Sequence, residues 1–174
     1  MTTELDLRDY IRDIPDFPKP GILFKDITPL LADAAAFKTS IQRLADRYRD
    51  VKVDVIVAAE ARGFIFAAPL ALELNCGFVP IRKPGKLPFG TRAIRYALEY
   101  GTDTLEMHVD GVSAGQQVLV VDDLLATGGT VGACVKLLEG GGARVLGCAF
   151  LIHLLGLDGA SRIKPHEPFS LIQY

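Results

Sequence analysis

The segment from Val118 to Thr130 carries the residue types best suited to chemistry in this chain of 174 residues. Asp122 and Asp123 follow the apolar run 117–121, which predicts a buried strand. In open parallel sheets, ligands bind beyond the carboxyl ends of the strands. Two adjacent carboxylates repel each other there, so they need a metal ion or a group with several hydrogen-bond donors. The 2′- and 3′-hydroxyls of a ribose offer two such donors side by side.

The residues that follow are predicted to form a phosphate-binding turn, made of Ala126, Thr127, Gly128, Gly129 and Thr130. The two glycines let the backbone approach a ligand closely, and the helix predicted to follow adds partial positive charge at its N-terminus. Together with the aspartates, this turn predicts a seat for ribose 5-phosphate. Neither the triphosphate pattern GxxxxGK[ST] nor the dinucleotide pattern GxGxxG is present. The alternative is an acidic helix cap followed by a glycine turn without a ligand.

The elements that must position this segment alternate between strand and helix. Apolar runs at 53–58, 78–81, 117–121 and 145–153 predict strands, while 64–74 and 130–138 predict helices. This order predicts an α/β fold with a mostly parallel sheet covered by helices. Further predictions are a short helix within 5–13, a helix capped by Asp33, a hairpin around Gly101 and a C-terminal edge strand in PFSLIQY.

Composition excludes several classes of protein. Apolar residues make up 49% and charged residues 23%, which is typical of one globular domain. A net charge of −2 disfavours a nucleic-acid partner. The uncharged stretch 145–157 is too short for a membrane helix, and the charged N-terminus does not resemble a secretory signal. The three cysteines lack metal spacing, so we expect reduced thiols and a cytoplasmic location. The short length of the stretch 145–157 predicts no membrane partner.

Two loop-like segments flank the predicted strands. Prolines 15, 18 and 20 predict an irregular arm that packs over the domain or over a ligand. Segment 82–98 combines prolines and glycines with basic residues and contains no acid before Glu99. Its basic residues are Arg82, Lys83, Lys86, Arg92 and Arg95.

The segment 118–130 resembles the phosphoribosyl pyrophosphate (PRPP) signature of the type I phosphoribosyltransferase family, in the form LLATGGT of its adenine-specific members. The resemblance covers nearly the whole chain, through PDFPKPGILFKDITPLL, EARGF, IRKPGKLP, LEYGTDTLEMH and FSLIQY. It implies a mostly parallel central sheet flanked by helices in a single domain, 1–174. It also implies a small hood, formed by the N-terminal arm (about 1–30) and a flexible hairpin loop (82–100), and a homodimer.

The resemblance also assigns the diphosphate side of the site. It implies that the hood closes over the reaction and that the Glu60–Ala61 peptide is cis. The implied contacts to pyrophosphate are Glu60, Ala61, Arg62, Arg82, Lys83, Lys86 and Tyr100, of which Arg62 and Lys83 are expected to be catalytic. For Arg92 and Arg95, a solvated surface loop remains an equal alternative. Related hoods carry acidic and hydroxyl residues where this chain has the apolar and basic stretch Phe89–Arg95.

Base recognition is assigned to the proline-rich arm. The resemblance implies that the backbone of Leu23 and Lys25 reads the edge of adenine while Phe24 stacks on the ring. Core packing of Phe24 remains the alternative. Glu99 is implied to be the general acid that protonates N7, a role that needs a raised pKa; an exposed strand carboxylate is the alternative.

The implied reaction transfers the 5-phosphoribosyl group of PRPP to N9 of adenine, giving AMP and diphosphate in purine salvage. Mg²⁺ would be held mainly by substrate oxygens and water, with no protein metal ligands. A PRPP- or nucleotide-sensing regulator on the same fold is a second hypothesis, disfavoured by the acidic charge. A receiver-type signalling domain is a third, but it leaves the glycine turn unexplained. Another base, such as guanine, hypoxanthine or uracil, would change only the base assignment.

Overall fold

The structure is a computed structural model that describes residues 5–97 and 101–174. The strands are β1 (Arg12–Pro15), β2 (Leu23–Asp26), β3 (Val55–Ala59), β4 (Gly77–Ile81), β5 (Thr91–Ala97), β6 (Thr102–His108), β7 (Gln117–Leu125), β8 (Arg144–His153) and β9 (Pro168–Gln173). The α-helices are α1 (Thr28–Ala32), α2 (Ala34–Tyr48), α3 (Gly63–Glu73) and α4 (Gly129–Gly140). Short 3₁₀ helices span Leu7–Tyr10, Leu155–Leu157 and Gly159–Ile163. None of the helices in these ranges is long and apolar enough to cross a membrane.

A five-stranded parallel sheet lies at the centre, in the order β4-β3-β7-β8-β9. Every residue of β3 is buried, because helices or hairpins cover both faces of the sheet. Strand β9 forms the edge, where the C-terminal apolar segment predicts it. The predicted α/β fold with a parallel sheet flanked by helices is confirmed.

The two faces of the sheet build two hydrophobic cores. Successive residues of β7 alternate between them, so that Leu119 packs with α2 and α3 while Val120 packs with α4 and β6. Helix α2 begins where predicted, since the Asp33 carboxylate accepts a hydrogen bond from the Ala36 N–H at 2.8 Å. Packed side chains therefore cover both faces of the sheet.

Two antiparallel hairpins lie outside the central sheet. The predicted hairpin around Gly101 is confirmed as β5 and β6, in which Tyr96 lies opposite Asp103. The N-terminal arm differs from the prediction, because β1 and β2 form a second hairpin rather than an irregular segment. The prolines fall in its turn and at the end of β1, where the missing N–H costs no ladder bond.

The helix predicted within residues 5–13 is mostly wrong. Only Leu7–Tyr10 is helical, as one 3₁₀ turn that begins after Asp6, whose carboxylate accepts from the Arg8 N–H at 2.9 Å. Arg12 to Pro15 pair with β2 instead. Tertiary strand pairing has overridden the local helical pattern of this short segment.

Candidate active site

The two aspartates lie within β7 rather than beyond it. The strand continues to Leu125, four residues past the predicted end, because β8 pairs with it as far as Leu125 and His153. Its other neighbour, β3, pairs only as far as Val120. Beyond Val120, the β3 side of β7 is therefore unpaired, and the site opens there.

A cavity of about 630 Å³ lies at this end of the sheet. Three predicted segments line it: the Glu60–Arg62 turn, the aspartate pair and the loop 126–130. These segments are far apart in the sequence, and the parallel strand order brings them together. A cavity of this size suits a small organic ligand.

The loop 126–130 has the geometry of an anion seat. Gly128 adopts φ = +75°, a left-handed conformation that favours glycine, and α4 begins at the next residue. The Gly128 carbonyl accepts the Gly132 N–H at 2.8 Å, which starts the helix. The backbone N–H groups at the N-terminus of this 12-residue helix border the cavity.

The two aspartates differ in their electrostatic surroundings. The Asp123 carboxylate accepts a hydrogen bond from Arg62 Nε at 2.5 Å. Asp122 accepts the Asp123 N–H at 2.9 Å but has no cation in direct contact among the described residues. Burial, followed by the nearby charge of Asp123, raises the pKa of Asp122 well above its ordinary value. A ligand that donates hydrogen bonds to both carboxylates would stabilise their ionised forms and reduce the repulsion between them.

On the predicted diphosphate side, carboxylates hold the cations. The Glu60–Ala61 peptide is cis, as the sequence resemblance predicts. Glu60 accepts hydrogen bonds from Arg82 Nε and from Lys86 Nζ, the latter at 2.7 Å. Burial opposes the ionised form, but these two bonds, together with a hydrogen bond from the Lys83 backbone N–H and the charge of Arg82, outweigh it and lower the pKa of Glu60 to about 2. Lys83 pairs instead with Asp103.

The cations of the loop do not themselves line the cavity. Arg82 is fixed beside β6, since its backbone exchanges two hydrogen bonds with Glu106, at 2.9 and 2.8 Å. Arg82 and Lys86 reach the cavity wall through Glu60, which does line it. Their charge is therefore adjacent to the cavity and occupied by ion pairs.

The predicted base-binding residues lie on β2, outside the lining of this cavity. The Phe24 ring is 5.1 Å from that of Phe17 and lies 6.0 Å from the Arg62 guanidinium. Phe24 belongs to neither hydrophobic core among the described residues. Lys25 Nζ is 2.6 Å from Asp13 and 3.8 Å from the centre of the Tyr174 ring. Its side chain is thus engaged, and Leu23 is half exposed.

Two predicted residues, Glu99 and Tyr100, lie outside the described residues, and their roles stay predictions. Arg92 and Arg95 lie on β5 and are not among the residues that line the cavity. Arg95 donates to Thr102 Oγ1 across the hairpin at 2.9 and 3.1 Å. The Arg92 guanidinium lies against Gly141, at the end of α4.

Sequence reasoning missed a fourth segment of the cavity wall. Asp158, Ser161 and Arg162 line it from the 3₁₀ region that follows β8. No chemical motif marks this stretch, and the available signal was only its position after a strand whose carboxyl end faces the site. The Cβ of Arg162 packs close to Gly128, and its basic side chain makes this wall of the cavity more favourable for anions.

Comparison with known proteins agrees with this geometry. Residues 30–170 match the model of the phosphoribosyl transferase domain. The chain is 59% identical to the adenine phosphoribosyltransferase of Rhodopirellula baltica, over 98% of this chain and 82% of that protein. It superposes on the crystal structure of the adenine phosphoribosyltransferase from Thermoanaerobacter pseudethanolicus with a TM-score of 0.94 and 55% identity, covering 97% and 98% of the two chains.

A more distant structural match is the Saccharomyces cerevisiae enzyme, crystallised with D-2,5-dideoxy-2,5-imino-altritol 1,6-bisphosphate and adenine. The identity is 38% and the TM-score 0.89, over 95% and 96% of the two chains. The fold, the cavity and these matches define a phosphoribosyltransferase. Within that class, the chain belongs to the adenine phosphoribosyltransferase family.

Proposed function

We propose that the protein transfers the 5-phosphoribosyl group of PRPP to N9 of adenine and releases AMP and diphosphate, a reaction of purine salvage. The observation that carries the proposal is one cavity lined by the aspartate pair, the loop 126–130 and the Glu60–Arg62 turn. The yeast relative, crystallised with adenine and a bisphosphorylated sugar analogue, supports the same pair of ligands.

The sugar and its 5-phosphate would occupy the inner part of the cavity. The phosphate takes the N–H groups of the loop 126–130 and the hydroxyls of Thr127 and Thr130. The ribose hydroxyls donate to Asp122 and Asp123. As the C1′–diphosphate bond breaks, C1′ gains positive charge, which nearby carboxylates stabilise in a site closed to water.

The diphosphate would leave towards the basic loop, the segment 82–98 that carries Arg82, Lys83 and Lys86. Arg62, Lys83 and Lys86 are each held by a carboxylate. A guanidinium has five N–H donors and an ammonium has three, so each cation retains donors for phosphate oxygens. Binding of diphosphate would therefore add to or exchange these ion pairs rather than require new cations.

Adenine would lie between the arm and the cavity. The Phe24 ring lies 6.0 Å from the guanidinium of Arg62, which lines the cavity, and this proximity supports placing the base on that side. The backbone of Leu23 and Lys25 would distinguish an amino from an oxo purine through the order of donors and acceptors. Glu99 would act as the general acid at N7 when N9 leaves C1′, and in the forward reaction its carboxylate would take the N7 proton of adenine as N9 forms the bond to C1′.

Mg²⁺ fits this scheme as a companion of the substrate. The described residues contain no group of three or more carboxylate, imidazole or thiol side chains that could hold a metal ion. When bound to PRPP, Mg²⁺ would neutralise charge on the departing diphosphate. The carboxylate oxygens around the cavity, those of Asp122 and Asp123 above all, accept hydrogen bonds from the ribose hydroxyls in this proposal.

The setting of the enzyme is also proposed. A cytoplasmic location suits the three free cysteines, of which Cys134 and Cys148 are buried. A homodimer suits the apolar side chains exposed on α3, such as Leu72, which is 84% exposed. We also propose that all 174 residues act as a single catalytic domain.

The test is a base panel with purified protein, PRPP and Mg²⁺, read by release of diphosphate. We expect adenine to react and guanine, hypoxanthine and uracil to react more than about a hundredfold more slowly. Turnover with another base alone would keep the transferase class and remove the adenine assignment. A tight, salt-sensitive RNA complex without turnover of any base would favour a regulator instead.

A further inference from the structure

Asp103 occupies a junction that the proposed reaction does not yet use. It lies on β6 directly opposite Tyr96 of β5, so their side chains share one face of the hairpin. That face packs against α4, where Ile94 and Tyr96 contact the core beneath the helix. Asp103 therefore lies between the basic loop and the phosphate-binding loop.

The orientation of the Asp103 carboxylate is fixed from both ends. One oxygen, Oδ1, accepts the Thr104 N–H at 2.8 Å. The other, Oδ2, accepts from Lys83 Nζ and lies 3.4 Å from the Tyr96 hydroxyl. The same hydroxyl is 3.4 Å from Thr130 Oγ1, which lines the cavity. These contacts connect Lys83 to Thr130 through two side chains.

Lys83 differs from its neighbours Arg82 and Lys86 in the carboxylate that holds it. Arg82 and Lys86 are both held by Glu60, a carboxylate of the cavity wall. Lys83 depends on Asp103, which does not line the cavity. Lysine has a long stem with four rotatable bonds, so its ammonium needs a fixed partner to be placed reproducibly.

We infer that Asp103 is a positioning residue, which aims the Lys83 ammonium at the diphosphate and couples it through Tyr96 to the 5-phosphate loop at Thr130. The inference rests on the proposed use of PRPP. The Asp103 carboxylate and the Tyr96 hydroxyl both contact the Lys83 ammonium, which has three N–H donors, so at least one donor is left for a phosphate oxygen. Asp103 thereby contributes to the binding of both phosphate ends of one substrate without touching either.

The first test compares Asp103→Asn with the wild type in steady-state kinetics with PRPP and adenine. The amide removes the charge and keeps the shape. We expect the KM for PRPP to rise about three- to tenfold, because the ion pair is partly exposed, while the KM for adenine changes less than about twofold. Asp103→Glu should recover part of the loss. Asp110→Asn removes the same charge from an exposed turn after the hairpin and should match the wild type.

A double-mutant cycle tests whether Asp103 acts through Lys83. In a Lys83→Met background, adding Asp103→Asn should change the KM for PRPP less than about twofold. Effects of the two substitutions that multiply would overturn the inference, as would a lower KM for PRPP in Asp103→Asn. A general folding defect would appear as a lower Tm with similar losses for both substrates, and that too would contradict a positioning role.

Calorimetric titration of each protein variant with PRPP, in the presence of Mg²⁺, tests this inference separately from the proposed function. It measures binding without turnover and without a base. Weaker PRPP binding by Asp103→Asn than by Asp110→Asn supports the role of Asp103 even when adenine proves to be the wrong base. Equal PRPP binding by these two variants would overturn the role of Asp103 while leaving transfer to adenine intact.

Discussion

Gly128 and Gly159 lie back to back, and neither position has room for a side chain. A Cβ on Gly128 would overlap the carbonyl oxygen of Gly159, and a Cβ on Gly159 would overlap the carbonyl oxygen of Ala126. The phosphate-binding loop and the 3₁₀ segment after β8 therefore fix each other through backbone contact. This packing positions Ser161 and Arg162 on the cavity wall.

Substituting Gly159 tests that contact without changing a backbone preference, since the left-handed conformation belongs to Gly128 and not to Gly159. We expect Gly159→Ala to lower the free energy of unfolding by about 1–3 kcal/mol and to raise the KM for PRPP. Thermal unfolding and steady-state kinetics measure the two effects. Gly156→Ala, three residues earlier in open space, is the matched control and should change neither. Unchanged PRPP kinetics in Gly159→Ala would contradict the role of the packing.

The Asp122 carboxylate is expected to bind the ribose and, at the same time, to lower the stability of the folded protein. Burial, then the charge of Asp123, raises its pKa above the ordinary 3.8, so the folded state holds a proton that the unfolded state loses first. This carboxyl therefore costs stability increasingly as the pH rises above the ordinary value. Asp122→Asn removes the cost and keeps an oxygen to accept the Asp123 N–H.

We expect the Tm of Asp122→Asn to equal that of the wild type near pH 4 and to exceed it at pH 7, while PRPP binding weakens. Thermal unfolding across this pH range and PRPP titration check both halves. A Tm difference that stays constant with pH would show that the Asp122 carboxyl is not perturbed.

Ionisation of Glu60 stabilises the folded state, whereas ionisation of Asp122 destabilises it. Burial opposes its charge, but hydrogen bonds from Lys86 and Arg82 lower its pKa to about 2, below the ordinary 4.5. Its contribution is complete above pH 4.5 and is lost as the pH falls towards 2. Glu60→Gln should lower the free energy of unfolding at pH 7 by about 1 kcal/mol, since both cations are partly exposed.

Denaturant unfolding at several pH values measures this contribution. The gap between the wild type and Glu60→Gln should narrow from pH 4.5 to pH 3. Glu167→Gln, at an exposed position, serves as the control and should show no gap at any of these pH values. A gap that widens towards acid pH would reverse the sign and refute the assignment.

Arg62 connects the sugar side of the site to the base side. Its Nε donates to Asp123, and its guanidinium lies 6.0 Å from the Phe24 ring. Lysine keeps the charge but lacks the planar fork, so Arg62→Lys should lower kcat/KM for PRPP about 10- to 100-fold. Arg49→Lys alters a surface arginine paired with Asp46 and Glu73 and should have no effect on activity. Equal activity of both variants would exclude a directional role for Arg62.

The sequence predicted those features that depend on local pattern. Apolar runs located the strands of the central sheet, and Asp33 marked the start of α2, because burial and capping leave residue-level signatures. The acidic pair and the glycine turn directly follow an apolar strand pattern, and this local order predicted the end of the sheet at which the cavity lies. The extension of β7 to Leu125 was not predicted, since charged residues disfavour a strand and only the pairing with β8 maintains it.

Features that arise from distant contacts could not be predicted. The β1–β2 hairpin depends on pairing across a proline-rich turn, which resembles an irregular arm in the sequence. Arg162 reaches the cavity because Gly159 packs on the phosphate-binding loop, and no motif encodes that approach. The pairing of Lys83 with Asp103 follows from the bridge between Arg82 and Glu106 of β6, which two separate sequence segments do not reveal.

The most direct test of the central claim is a crystal structure of the protein with AMP. We predict that the ribose hydroxyls donate to Asp122 and Asp123 and that the 5-phosphate occupies the loop from Ala126 to Thr130. AMP bound elsewhere, with that loop empty, would contradict the assignment of this cavity as the phosphoribosyl site.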